Sequence, residues 1–245
     1  MAEHLTKKIL KIYKEHDIFI NKQKLKKELV DHFPLFIKRE QLSYYIAKIE
    51  LIKKIIDIKG SVIECGVFKG SSLLLMAKLF SIYEPYGIHR KIIGFDTFTG
   101  FPSSSDIDKK NQKDKKKYRK NYLGNVNLKN IESSIKLFNK HRPNGHITKI
   151  NLVKGDATKT IPKFIDENSH TLISLLYLDF DLYEPTKTAL KYFLPRMSKG
   201  SIIAFDQLNQ KRWKGETVAL LKNMSLNKYK LKQFSFEPNI SYIEL

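Results

Sequence analysis

Cysteine is almost missing from these 245 residues. Cys65 stands alone, so no internal disulfide can form, and a reducing, cytoplasmic setting is expected. Long apolar runs are missing as well. None approaches the roughly 18 residues that a bilayer-crossing helix needs, and the opening Met1-Ala2-Glu3-His4-Leu5-Thr6-Lys7-Lys8 has no apolar core of a secretion signal. Arginine is scarce, with six residues (Arg39, Arg90, Arg119, Arg142, Arg196 and Arg212) among 45 basic ones. Nucleic-acid readers lean on arginine's rigid fork. A formal charge of +20 carried by dispersed lysine therefore argues against a nucleic-acid partner. It fits solvated lysine faces first and an anionic small-molecule partner second. The dinucleotide fingerprint G-x-G-x-x-G is absent too.

What is present describes a globular chain: 42% hydrophobic residues in a length that suits one large domain with a helical prefix. Residues 1–58 form that prefix. Leu5, Ile9, Ile12 and Tyr13 keep a helical period, a second helix is expected over Asn21–Val30, and Pro34 interrupts. Leu42, Tyr45, Ile46, Ile49, Ile52, Ile55 and Ile56 then predict a third helix over Gln41–Ile56. Nothing in the prefix suggests chemistry. It is expected to pack on the sheet, cover an acceptor site or form a homodimer.

Residues 59–245 alternate apolar strands with helical patterns, the signature of an α/β fold with a parallel sheet. Val62-Ile63 leads to Glu64, Gly66 and Gly70, and Ser71 opens an apolar helix. Gly66 lets a ligand approach the backbone, and the helix start points free N–H groups into the same crevice. An acid two residues before the first glycine disfavours a pyrophosphate and suits a sulfonium nucleoside. Lys91–Phe95 ends in Asp96, placed to accept hydrogen bonds from ribose hydroxyls. Ile150–Val153 precedes Asp156, and Thr171–Leu178, the longest apolar run, ends in Asp179 and Asp181. Strand alternation would send those two to one side. Met197–Gly200 is expected to turn into a strand, Ser201–Phe205, that ends in Asp206. In a parallel sheet these tips share one edge, where ligands bind. A terminal hairpin is expected from 229–236 and 240–244, turning at Glu237-Pro238-Asn239. The lysine-dense stretch 103–125 reads as a lid or disorder without a core.

Several strings carry a family resemblance. Glu64-x-Gly66-x-x-x-Gly70 resembles the first motif of class I S-adenosylmethionine-dependent methyltransferases. Asp96-Thr97-Phe98-x-Gly100-Phe101-Pro102 resembles the macrocin O-methyltransferase-like family, which methylates sugar hydroxyls. The likeness covers about residues 60–245. It implies a seven-stranded Rossmann-like sheet whose last hairpin is antiparallel. It implies S-adenosylmethionine as cofactor, held by Glu64, Gly66, Phe68, Gly70, Ser71, Asp96, Thr97, Asp156, Ala157 and Asp179. Asp156 is read either as the partner of the adenine amino group or as the cap of the next helix. Asp179, Asp206 and Gln207 resemble the Mg²⁺ ligands of catechol O-methyltransferase and its sugar-methylating relatives, with an amide where those have Asn or Asp.

Asp181 and Asp206 are the expected catalytic residues. Trp213 and Glu216 are expected on the acceptor side, in the loop beside Asp206, where Phe-Asp-x-Leu-Asn…Trp-x-Gly-Glu-Thr resembles a subgroup associated with bacterial surface polysaccharides, and Tyr183 is expected there too, from the family-like string Asp179-x-Asp181-x-Tyr183. The expected reaction is O-methylation of a sugar, nucleotide-sugar or glycan. The alternatives are an RNA methyltransferase and transfer to an amine or phosphoramidate of a capsule sugar.

Overall fold

The apolar run Ile173–Leu178 is paired on both sides, and the sheet grows outward from it. A computed structural model of the chain describes residues 14, 15, 18, 26–110 and 115–245. Seven strands, β1 (Ser61–Cys65), β2 (Ile92–Asp96), β3 (Ile150–Lys154), β4 (Ile173–Leu178), β5 (Met197–Phe205), β6 (Lys232–Phe234) and β7 (Glu237–Glu244), lie in the order β3-β2-β1-β4-β5-β7-β6. The first five are mutually parallel, and β7 is antiparallel to both β5 and β6. Right-handed crossovers of parallel strands require long connections. Here they are helices α3 (Ser71–Tyr83), α5 (Leu128–His141), α6 (Ala157–Glu167) and α7 (Tyr183–Phe193).

One large core cluster lies on one face of the sheet. Ile63, Cys65, Phe95, Leu176, Leu178, Ile203 and Phe205 pack there against Ile161 and Phe164 of α6, Leu190 and Phe193 of α7, and Leu220 of α8 (Lys214–Asn223). On the other face, Glu64 and Tyr177 meet α2 (Arg39–Lys54) through Lys48. The chain divides into two units at Tyr44/Tyr45, a division that falls inside α2. The first unit contains α1 (Lys26–Asp31) and a 3-10 turn, Phe33–Leu35, built on Pro34. The helix expected from Leu5, Ile9, Ile12 and Tyr13 lies outside the described residues. No helix among the described residues is long and apolar enough to cross a membrane.

Three local expectations are corrected. The terminal turn is Ser235–Phe236, and Pro238 lies within β7. β5 pairs only with Ser241–Glu244, so the missing N–H of Pro238 interrupts no ladder bond with that strand. The turn expected at Met197–Gly200 is an irregular stretch of β5 itself, where the register with β4 shifts. The stretch 103–125 is not without a core in its described part. Ser105 and Asp108 form a capping box on α4 (Asp106–Lys109). Tyr118 and Tyr122 join Phe101, Leu182 and Trp213 in a second, aromatic core. Residues 111–114 lie outside the described residues.

Candidate functional site

The order of strands reverses between β1 and β4, so their carboxyl ends open a crevice at the switch point. Gly66 leaves β1 there with φ +99°, and a Cβ on it would stand 2.0 Å from the carbonyl oxygen of Asp179, the residue that follows β4. Only a residue without a side chain fits. Phe68, next but one, has φ +50° and is 41% exposed. Its N–H donates to Asp96 Oδ2 at 2.8 Å, while the N–H of Phe98 donates to Asp96 Oδ1 at 2.7 Å. The Asp96 carboxylate at the end of β2 is thus aimed by two backbone amides from loops on either side of it. Gly70, at φ +80°, is the N-cap of α3, and exposed Ser71 opens that helix. Thr97 shapes its own loop: its hydroxyl donates to Gly100 O and accepts from the N–H of Thr99.

Asp156 caps α6. Its Oδ1 accepts from the N–H and the hydroxyl of Thr158, at 3.0 and 2.7 Å. Ala157 is buried behind it. The capping alternative for Asp156 is therefore what the structure contains, and its loop still lies at the same sheet edge.

Beyond β4 and β5 the acids crowd. Strand alternation does not reach Asp179 and Asp181, because β4 ends at Leu178 and Asp181 takes φ +60°. Burial, then Asp206 and Asp181, push the Asp179 carboxyl well above the usual range, while Lys48 opposes. Burial, then Asp206, hold the Asp181 carboxyl up at about 7, while Arg212 opposes. Asp206 is fixed at both ends: Oδ1 accepts from the Tyr177 hydroxyl at 2.8 Å, and Oδ2 from the amide of Gln207 at 3.2 Å. Four residues on these loops, Phe68, Phe98, Asp181 and Asn209, hold positive φ without being glycine. Strain of that kind, about 1–3 kcal/mol each, concentrates where ligands bind.

The three residues expected on the acceptor side part company. Trp213 is the hub of the aromatic cluster, with ring centroids 5.4 Å from Tyr118 and 6.1 Å from Phe101. Tyr183 starts α7, but it belongs to the core cluster formed with α6 and α8. Glu216 is fully buried. Its carboxylate accepts from the N–H of Asp181 at 3.1 Å and of Gln207 at 3.4 Å, tying the loops after β4 and β5 together. Burial, then Asp181 and Asp206, raise its carboxyl well above the ordinary range.

Sequence reasoning missed four residues. Asp108 accepts from the N–H of Tyr183 at 2.9 Å and so pins the lysine-dense segment to α7. Tyr177 and Arg212 flank the acids. Lys48 lies in the prefix, where its place three and four residues before Leu51 and Ile52 was the available signal.

This topology, with a glycine turn and an aimed acid at its switch point, defines the class: an S-adenosylmethionine-dependent class I methyltransferase. Residues 36–227 match the family model described as Macrocin-O-methyltransferase (TylF), and the chain belongs to that family. The calicheamicin methyltransferase CalS11 superposes with a TM-score of 0.90 at 32% identity, over 98% of this chain and 94% of that one. The apo structure of CalS11, a TDP-rhamnose 3'-O-methyltransferase, gives 0.82 at 30% identity, over 98% and 96%. The O-methyltransferase NovP, at 17% identity over 82% and 79% of the two chains, shares the fold with a TM-score of 0.63. Curated protein sequences gave no match.

Proposed function

We propose that this enzyme moves the methyl group of S-adenosylmethionine onto a hydroxyl of a nucleotide-linked sugar, in glycoside or surface-polysaccharide biosynthesis. The observation that carries the acceptor half is the likeness to CalS11, a TDP-rhamnose 3'-O-methyltransferase, along nearly the whole chain. Asp96 takes the ribose hydroxyls. The backbone of Gly66, Phe68, Gly70 and Ser71 takes the methionine end, with Thr97 shaping the wall. Asp156 and Ala157 border the adenine. Trp213 and its aromatic neighbours wall the acceptor pocket.

The reaction is an in-line displacement. The acceptor oxygen forms a bond to the methyl carbon as the carbon–sulfur bond breaks, and the sulfur keeps the electron pair. The sulfonium becomes a neutral thioether, and the acceptor's proton passes to a carboxylate. Asp206 is the base in this reading, oriented by Tyr177 and Gln207, with Asp181 as its neighbour. Holding the partners in line supplies up to about 7–11 kcal/mol, and a positioned base about 10²–10⁴-fold.

Asp179, Asp206 and Gln207 also fit a hard dication. The donors are all oxygen, as Mg²⁺ prefers. Burial and like charge crowd Asp179 and Asp181. Among the described residues, Gln207 Oε1 and Asp181 Oδ1 are buried without a hydrogen-bond partner. Among the described residues no three His, Cys, Asp or Glu side chains gather as metal ligands, and the set proposed has two carboxylates and one amide. Bound there, the ion would lower the pKa of the attacked hydroxyl.

The test is transfer of labelled methyl from S-adenosylmethionine to TDP-rhamnose, to an amino sugar nucleotide and to a short RNA. Label is expected on the nucleotide-sugar hydroxyl, with turnover cut at least about tenfold by EDTA and restored by Mg²⁺. Label on RNA or on nitrogen alone would replace the acceptor assignment, and full activity in EDTA would remove the metal.

A further inference from the structure

Lys48 belongs to none of the strand tips, yet its ammonium lies against the side chains of two strands. α2 buries Ala47, Lys48, Leu51 and Ile52 along one stripe, so helical spacing delivers a lysine to a position suited to leucine. The Lys48 side chain is 1% exposed. Its Nζ donates to Ser72 Oγ at 2.5 Å, lies 3.7 Å from Glu64 Oε1 and sits 3.9 Å from the centre of the Tyr177 ring. Tyr177 in turn donates to Asp206. A cation taken this far out of water carries a desolvation cost that an apolar residue on the same stripe would not incur.

Glu64 explains what the cation is for. It is fully buried near the end of β1, and its carboxylate makes no well-formed hydrogen bond, being approached only by the Lys48 ammonium and the Ser72 hydroxyl. The groups that face it are Lys48 from α2, the Ser72 hydroxyl from α3 and Asp96 from β2. Burial pushes its carboxyl up to about 7, Lys48 is the strongest opposing influence, and Asp96 adds to the push. Removing Lys48 would leave an uncompensated buried acid, and such an acid takes up a proton.

We propose that Lys48 is a positioning residue, the counter-charge that keeps Glu64 ionised beneath the crevice and so sustains the crevice's affinity for a cationic nucleoside. This rests on the methyltransferase reading of that crevice, since the charge of Glu64 matters only if a cation is held above it.

Calorimetric titration with S-adenosylmethionine and S-adenosylhomocysteine from about pH 6 to about pH 9 tests the idea. Lys48→Met should displace the pH dependence of binding upward by about one unit or more, so that affinity near pH 7.5 falls about threefold or more, approaches about a tenfold loss near pH 6, and recovers at the alkaline end. The loss should be larger for the sulfonium form. Lys48→Arg should keep the wild-type profile. Lys48 also faces Asp179 and Asp206, though Glu64 is its strongest charged partner; in a Glu64→Gln background Lys48→Met should therefore change affinity less than about twofold, because the main charge to be preserved is gone. A Lys48→Met protein with unchanged binding, or with an equal loss at every pH, overturns the proposal, because packing alone would account for it. Should that variant not fold, the Lys48→Met/Glu64→Gln protein decides, since it buries neither charge: equality with Glu64→Gln supports the proposal and a further tenfold loss overturns it. Wild-type protein that binds neither nucleoside needs no variant to interpret. It would remove the reading of the crevice itself, and this inference with it.

Discussion

Asp206→Asn is expected to lower turnover by about 10²–10⁴-fold while changing affinity for S-adenosylhomocysteine less than about twofold. The substitution keeps the shape of the side chain. It retains an oxygen for the Tyr177 hydroxyl, which now lies 2.8 Å from Oδ1. What it removes is the charge and the capacity to take up a proton. If Asp206 were only a structural link between β4 and β5, the amide would serve nearly as well. A rate within tenfold of wild type would therefore move the base elsewhere, and Asp181 is the nearest alternative. Its carboxyl is already held near 7 by burial and by Asp206, so with Asp181 as base the rate should rise with pH through about 7 and level off above it.

Gly66→Ala should have the largest effect on the cofactor side. Two costs coincide at this position. The backbone is at φ +99°, and the added Cβ would overlap the carbonyl oxygen of Asp179 at 2.0 Å. That oxygen belongs to the backbone, so relief requires the loop after β1 or the loop after β4 to move, and those loops are the two walls of the crevice. The expected outcome is a loss of cofactor affinity of at least about 100-fold together with more than about 1 kcal/mol of stability, read by calorimetry and thermal melting. Gly70→Ala makes the comparison. Its φ is +80°, but the atoms nearest the added Cβ belong to the side chain of Ile131, at 3.1 Å, which can give way. Equal effects at the two glycines would mean that backbone conformation alone matters and that the close approach to Asp179 does not.

The sheet was readable in the sequence because each parallel strand is a short apolar run ended by an acid. Ile92–Phe95 before Asp96 and Ile173–Leu178 before Asp179 are two instances. The glycine turn was readable because Gly66 and Gly70 bracket the start of a helix. What escaped was decided by contacts distant in sequence. Tyr118 and Trp213 pack together across a long stretch of chain, and no local pattern in a lysine-dense segment announces that. Glu216 reads as an acceptor-side acid of the loop after Asp206, yet two backbone amides hold it fully inside. Tyr183 sits beside the acids in sequence, but the start of α7 turns its ring into the core. Lys48 was passed over because lysine on a helix is usually solvated, although its neighbours Ala47, Leu51 and Ile52 lie on the buried stripe.

The central claim is that Asp96, aimed by the amides of Phe68 and Phe98, grips the ribose of a sulfonium nucleoside in the crevice between β1 and β4. Calorimetry of wild type and Asp96→Ala with S-adenosylhomocysteine tests it most directly. The account predicts saturable binding to wild type and a loss of about 1–3 kcal/mol in the variant, about 5- to 150-fold in affinity. Equal affinity in the two proteins, or no heat from either, would contradict it.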